Sequence, residues 1–318
     1  MNQIPLFLQP ALQEKIWGGT RLHDQFGYAI PSDRTGECWG ISAHPNGPAI
    51  VKNGSFAGQT LAQVWTNNRE LFDHYQGNDF PLLTKILDAR EDLSVQVHPD
   101  DVYAQTHEHV PFGKTECWYI IDCDQGSEIV YGHTAATRDA FRQAVAEKQW
   151  DQLLRRVKVK PGDFFYVPSG TIHAICGGCL ILETQQSSDT TYRVYDYDRP
   201  GTDGKPRELH IQQSIDVANC PHRDPELTYH VRQESEAKFT ELLRESLFTV
   251  AHWEIRGKAE PISKNWPFLL MSVLDGTGDL IIDHDSYPLT KGDHLVIPAT
   301  VDAFSLSGTL DLIVSNPV

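Results

Sequence analysis

The sequence predicts a mainly β protein made of two related β domains with a small helical insertion. Three observations carry that prediction. Short β-type runs recur along the chain, broken by Gly, Pro, Asn and Asp, among them "LSVQVHP", "ECWYIIDC", "EIVYGH", "DFFYVPSG", "CLILETQQ", "FTVAHWEI", "PFLLMSVLDG", "DLIIDH" and "DHLVIPA". Many short strands at close spacing with turn residues between them indicate an antiparallel sandwich or barrel. Second, "KPGDFFYVPSGTIHA" (160 to 174) resembles "TKGDHLVIPATVDAF" (290 to 304) at a constant offset of 130, with Gly162–Asp163 matching Gly292–Asp293 and Pro168 matching Pro298. A repeated β unit implies two related domains. Third, the helical pattern is confined to two stretches. Residues 55 to 72 carry Leu61, Val64, Trp65 and Leu71 at roughly helical spacing. Residues 137 to 157 carry Phe141, Val145, Trp150, Leu153 and Leu154 on one stripe, with Thr137 and Asp139 suited to the N-terminus. The polar segment 221 to 246 reads as the connection between the two β domains.

The chain has 318 residues, 40% of them hydrophobic and 22% charged, which suits one large or two ordinary soluble domains. Its formal net charge of −16 disfavours nucleic acid and anionic membranes as partners, and an anionic substrate would need a local basic patch. The opening "MNQIPLFLQP" lacks the basic segment and long apolar run of a secretion signal, and no window resembles a membrane-spanning helix. Six cysteines are too sparse for a disulfide framework, so a cytoplasmic chain with free thiols is expected.

Candidate chemistry begins at "YVPSGTIHAI", 166 to 175. The unit Gly162-x5-Pro168-x-Gly170-x2-His173 resembles the second motif of the cupin superfamily at every fixed position except the terminal Asn, where Gly177 stands. Glycines permit the tight turns, Pro168 ends a strand, and the next strand points His173 inward. In the second copy Ala303 replaces His173, so only the first copy looks equipped for chemistry. Upstream, "LSVQVHPDD" places Gln96 and His98 two apart, on one face of a strand. Glu116 opens the run "ECWYIIDC". Any one of these residues alone reads as structural. Together Gln, His, Glu and His make an N/O donor set without sulfur, suited to Zn²⁺ or another borderline divalent ion with an open position.

The segments "GECWGIS", "PLLTKILDAREDLSVQVHP", "GKTECWYI", "PSGTIHAI" and "LETQQSSDTTYRVYDYDR" resemble, in order, the signature segments of the type I phosphomannose isomerases. The resemblance runs from about residue 10 to 215, followed by a degenerate cupin tail. It implies two cupin-type jelly-roll β domains. One is catalytic, residues 1–220, with a helical insertion at about 134–157. Residues 221–318 form a connecting segment and the degenerate domain. Longer members of the family carry a large helical domain between the third and fourth ligands. Here only 57 positions separate Glu116 from His173 (173 − 116), as in a short bacterial form.

The same resemblance implies one zinc ion per chain held by Gln96, His98, Glu116 and His173. It implies a sugar-phosphate substrate, with mannose 6-phosphate and fructose 6-phosphate interconverted through a cis-enediol. It also places Arg193, Lys114 and Glu183 as catalytic residues, and Lys85, Ser94 and Asp189 against the substrate. Within that frame Arg193 stabilises the enediolate or anchors phosphate, Lys114 contacts a substrate oxygen, and Glu183 or a metal-bound water handles the proton.

Other readings compete. A non-catalytic metal- or sugar-binding cupin module shares the fold, since fold alone decides no function. An iron oxygenase would prefer a facial triad with positions open for O₂. Cys176 and Cys179 form a C-x-x-C, but no second pair supports a zinc site, and Gly177–Gly178 reads as a hairpin turn. The acid-rich run 195 to 209 lacks the alternation of a Ca²⁺ loop and reads as an active-site or surface loop. The oligomeric state is left open.

Overall fold

The computed structural model describes residues 4–201 and 204–318. The mainly β expectation holds: antiparallel ladders dominate and helices are few and short.

In the first barrel, strands Phe164–Val167, Glu116–Cys123, Cys179–Gln186, Leu82–Ala89, Thr35–Ile41 and Ala11–Gly19 form a sheet in that spatial order. A second sheet runs Tyr192–Tyr195, Val95–Val97, His173–Ile175, Glu128–His133 and Leu154–Lys158. Between them lies a core that includes Trp118, Ile120 and Ile181 from the first sheet with Ile129, Tyr131 and Ile175 from the second.

Cys179–Gln186 and Leu82–Ala89 are buried along their whole length. That explains why "CLILETQQ" shows no apolar/polar alternation: both faces of the strand are covered. Leu180 and Leu182 turn outward into a core shared with the second barrel, while Cys179 and Ile181 turn inward. With a period of two, Glu183 follows Ile181 inside the barrel. The barrel interior is thus hydrocarbon over most of its length and becomes polar near one end.

The second barrel is one extended sheet. Its path runs His230–Gln233, Ala237–Arg244, Phe248–Lys258, Ala303–Pro317, Leu269–Ile282 and His294–Ile297, then continues through Leu6–Gln9 and Ile50–Val51 from the start of the chain. Its interior is filled by apolar side chains, Met271, Leu280, Leu295, Leu306 and Leu312 among them. The two barrels meet over an aromatic cluster. Trp65, Phe72 and Phe80 close on Phe268, the residue before strand Leu269–Ile282; ring centroids lie 5.2 Å apart for Phe72–Phe268 and 5.4 Å for Phe80–Phe268.

The repeat seen in the sequence is a repeat in space. Val167 pairs with Glu116 in the first barrel as Ile297 pairs with Leu269 in the second. Gly162 and Gly292 take the same left-handed conformation, φ 89° and 91°, which favours glycine. Asp163 accepts from the amide of Lys160 and Asp293 from the amide of Thr290, closing the same turn in both copies.

Three expectations need correction. Residues 55–72 do not form one helix: Gly54–Phe56 is a single 3₁₀ turn, Leu61–Asn67 is an α-helix capped by Thr60 and Gln63, and Arg69–Phe72 is again 3₁₀. The second helix stops at Ala146. Lys148 takes positive φ (53°), a short turn of helix follows at Trp150–Leu153, and Leu154–Lys158 is a strand paired to Glu128–His133. The stripe misled because helix and strand feed the same outer core, where Phe141, Val145, Leu153 and Leu154 are all buried. Finally, the connection at 221–246 contains two strands. His230–Gln233 is exposed throughout and so carries no apolar signal, and a register shift between Glu241 and Leu243 interrupts the alternation of its neighbour. All six cysteines are free. No helix among the described residues is long and apolar enough to cross a membrane.

Phe268→Ala removes a fully buried ring from the joint between the barrels. It should cost about 3–5 kcal/mol of stability, read as a lowered midpoint in urea unfolding.

Candidate metal centre

Glu116 is the centre of the site and is fully buried. It is the first residue of strand Glu116–Cys123, where the barrel interior changes from hydrocarbon to polar groups. His98 Nε2 lies 3.4 Å from its Oε2 and His173 Nε2 lies 3.3 Å from its Oε1. One ligand atom from each of these three residues falls within 4.8 Å of the other two. Gln96 sits directly across the ladder from His173 and its amide nitrogen approaches His173 Nε2 at 3.3 Å. The four residues picked from three separate motifs therefore converge.

Backbone carbonyls orient both imidazoles. His98 Nδ1 donates to the carbonyl of Thr190 at 2.9 Å and His173 Nδ1 to that of Thr171 at 2.9 Å. With the proton fixed on Nδ1, each ring turns an Nε2 lone pair inward. Burial holds both rings neutral: it drives His98 down to about 3, helped by the Lys114 charge, and lowers His173 against the pull of Glu116. Among the described residues Glu116 Oε1 has no hydrogen-bond partner. Lys114 faces His98 Nε2 and the Gln96 amide faces His173 Nε2, but Glu116 Oε1 is left an orphaned anionic oxygen shut from solvent, 3.3 Å from the His173 ring nitrogen. The donor set therefore fits a divalent metal ion.

Cationic and acidic groups crowd the same place. Lys114 Nζ donates to Glu116 Oε2 at 2.7 Å and lies 3.0 Å from His98 Nε2. Glu183 Oε2 accepts from the Trp118 indole at 3.0 Å, while its Oε1 faces Lys85 at 3.7 Å and Lys114 at 3.9 Å. Burial and the nearby Glu116 raise the Glu183 carboxyl. Burial would raise Glu116 too, but the Lys114 ammonium outweighs it and holds Glu116 well below the usual range. Burial also opposes the charge on Lys114, yet Glu116 and Glu183 raise it above a free lysine. Two carboxylates that face the same lysine are thus pushed in opposite directions.

The remaining candidates surround this core unevenly. Arg193 pairs with Gln96 across the ladder, so His173, Gln96 and Arg193 form one row on one face. Ser94 is buried just ahead of strand Val95–Val97, two residues before Gln96. Asp189 sits apart on the loop before strand Tyr192–Tyr195, bonded to Asn46 at 3.2 Å and lining a cavity of about 430 Å³ with His44 and Thr190; the positive charge of Lys85 offsets its burial and lowers its carboxyl.

Residues 6–149 match the catalytic domain of phosphomannose isomerase type I, and residues 238–317 match the cupin domain of mannose-6-phosphate isomerase. The chain is 52% identical to mannose-6-phosphate isomerase ManA of Bacillus subtilis, covering 99% of this chain and all of that one. It is 51% identical to mannose-6-phosphate isomerase of Streptococcus mutans, covering 98% of each. The crystal structure of mannose 6-phosphate isomerase from Bacillus subtilis superposes with a TM-score of 0.97 at 50% identity, over 99% of this chain and all of that one. The chain belongs to the type I phosphomannose isomerase family.

For a type I phosphomannose isomerase read from sequence alone, three parts of the site escaped notice. Trp118, two residues after Glu116, shares its face and anchors Glu183; simple alternation would have found it. The carbonyls of Thr171 and Thr190 carry no side-chain signal. Lys15 and Arg207 line a cavity of about 400 Å³ together with Arg193. Arg207 lay inside the acid-rich run taken as a loop, where it and Arg199 bind Asp196. Thr202 and Asp203 of that run lie outside the described residues.

In chelator-treated protein, Glu116→Gln strips Lys114 of its nearest anion and leaves a buried ammonium poorly compensated. A loss of about 3–5 kcal/mol is expected in urea unfolding, and adding Lys114→Met should restore part of it.

Proposed function

We propose that this chain interconverts mannose 6-phosphate and fructose 6-phosphate as a zinc-dependent aldose–ketose isomerase working through a cis-enediol. The observation that carries the mechanism is Glu183. It is a buried carboxyl with a raised pKa, facing two lysines beside the His98–Glu116–His173 cluster. The full-length kinship with mannose-6-phosphate isomerases supplies the substrate.

Aldose–ketose isomerisation moves a proton between C1 and C2 of the opened sugar and builds negative charge on the sugar oxygens. A base must be poised near neutrality, and fixed cations must meet the charge as it forms. Glu183 is the group proposed to take and return the carbon-bound proton, its orientation held by the Trp118 indole. Lys114 is proposed to donate toward the developing oxyanion from its place beside Glu116, with Lys85 balancing the charge of Glu183. Arg193, at the mouth-side end of the His173–Gln96 row, meets the enediolate or the phosphate. Lys15, Arg193 and Arg207 outnumber the carboxylates Glu14 and Glu208 in the same cavity, a small positive excess toward which an anionic sugar can approach a chain of net charge −16. Ser94 and Asp189 are proposed to contact sugar hydroxyls.

His98, Glu116 and His173 would hold the metal, with Gln96 as a fourth ligand once its amide turns its oxygen inward. An all-N/O set of this kind suits Zn²⁺, and the ion would polarise substrate oxygens and fix their position. Residues 1–220 carry every group named here and are proposed as the catalytic domain, with 221–318 as a connecting segment and a second barrel that lacks the ligand set.

Purified protein should convert mannose 6-phosphate to fructose 6-phosphate, lose that activity on chelation and recover it with Zn²⁺. Full activity in metal-free protein would refute the metal requirement. Glu183→Gln should lower kcat by about 10²–10⁴-fold, and Arg193→Ala by about 10²-fold or more. A Glu183→Gln enzyme with undiminished kcat removes Glu183 as the proton carrier.

A further inference from the structure

Strand register allows the metal site to be mapped onto the second barrel residue by residue. His173 pairs with Gln96, and its repeat partner Ala303 pairs with Ser263. Val167–Glu116 corresponds to Ile297–Leu269, and Thr184–Cys117 to Ser315–Leu270. The ladder Glu183–Lys85 corresponds to Val314–Ala251. Counting two residues along from Gln96 and from Ser263 sets His98 against Asn265. Every metal donor and all three charged partners have therefore been replaced: Gln96 by Ser263, His98 by Asn265, Glu116 by Leu269, His173 by Ala303, Lys85 by Ala251, Glu183 by Val314 and, two before Leu269, Lys114 by Pro267.

Deeper in, the second barrel is packed with apolar side chains, but at the level of these positions it stays open. Ser263, Asn265, Leu269, Ala251 and Val314 all line one cavity of about 570 Å³, a size ordinary for small-molecule sites. Its floor is aromatic. Phe239 meets Trp253 edge-on at 5.3 Å, and Phe304 links Trp253 to Trp266, with centroids 6.3 Å from each. The Trp266 indole N–H has no partner among the described residues. Two arginines stand at the rim. The Arg232 guanidinium lies 4.1 Å over the Phe239 ring, and Arg244 rises from the end of the same strand as Phe239. Their carboxylate partners, Glu234 at 3.5 Å and Glu241 at 3.0 Å, form pairs in which both arginine side chains are more than half exposed. Glu234 holds Arg232 weakly, while Glu241 grips Arg244 through both Nε and Nη2 and itself lines the cavity, so an anion reaching Arg244 must displace that carboxylate.

We propose that this cavity is a second, metal-independent small-molecule site that takes a hexose phosphate. The sugar ring lies with its C–H face on Trp253 and Trp266, and the phosphate lies on Arg232 and Arg244. Aromatic rings recognise the apolar face of a pyranose, and guanidinium forks recognise phosphate. The choice of a hexose phosphate over other anions rests on the isomerase function, which puts such molecules within reach of the chain.

Calorimetry on the full-length, metal-loaded protein tests this, with a pre-equilibrated mixture of mannose 6-phosphate and fructose 6-phosphate as the probe so that no net reaction contributes heat. Wild type should bind one more molecule per chain than the Arg232→Gln/Arg244→Gln variant, whose substitutions are exposed and should leave folding intact. Trp266→Ala should show the same loss of one site, and turnover of both variants should stay within about twofold of wild type, since neither touches the first barrel. Chelated wild type should keep the extra site. Equal stoichiometry in wild type and the double-arginine variant overturns the proposal, as does inorganic phosphate alone binding there as tightly as the sugar phosphates. Mannose alone binding as tightly overturns the phosphate contact. Turnover measured on the same preparations separates this from the isomerase function: absent turnover with the one-site difference retained sinks that function and leaves the second site standing.

Discussion

Glu116 is a carboxylate completely removed from water and surrounded by Lys114, His98 and His173. A buried charge of that kind persists only when its neighbours compensate it, and every neighbour here is supplied by a different part of the first barrel. Lys114 comes from the loop before the strand, His98 from just after Val95–Val97, and His173 from the start of His173–Ile175. The barrel must close in register for the three to meet. A one-residue slip in any of these strands would turn its polar group outward and leave the carboxylate bare. The electrostatic demand of one side chain therefore specifies the pairing of several strands.

The six-stranded sheet makes such precision affordable. It lies between two hydrophobic cores, one inside its own barrel and one shared with the second, and its central strands have no solvent face. Strands held on both sides cannot shear or twist freely, so Lys85, Glu183 and Glu116 keep their places on adjoining strands without a local scaffold. The second barrel contributes to the first site in this way, as a wall behind the sheet, although it offers no ligand to the metal cluster.

Much of this was readable before folding. The convergence of Gln96, His98, Glu116 and His173 was legible because His173 sits in a turn motif with fixed glycines, and because Gln96 and His98 share a strand face. The repeat was legible from Gly162–Asp163 and Gly292–Asp293, and register shows it to be structural. What remained hidden had physical causes. The helix boundary at Ala146 was obscured because Leu153 and Leu154 continue the apolar stripe into a strand that buries them equally. Strand His230–Gln233 was invisible because a fully exposed edge needs no hydrophobic residue. Thr171 and Thr190 act through their carbonyls, which every residue possesses. Arg207 was masked by the acids around it, one of which, Asp196, it in fact neutralises.

Leu6–Gln9 lies between His294–Ile297 and Ile50–Val51 in the sheet of the second barrel. Its pairing with Ile50–Val51 is near in sequence, whereas Leu6 meets Val296 from far along the chain. Until that distant contact forms, the segment is an apolar strand with an open edge, the kind of surface that chaperones recognise and that misassociates when left alone. Closing the sheet of the second barrel is thus a long-range event, and the edge stays unprotected for as long as the two distant strands remain apart.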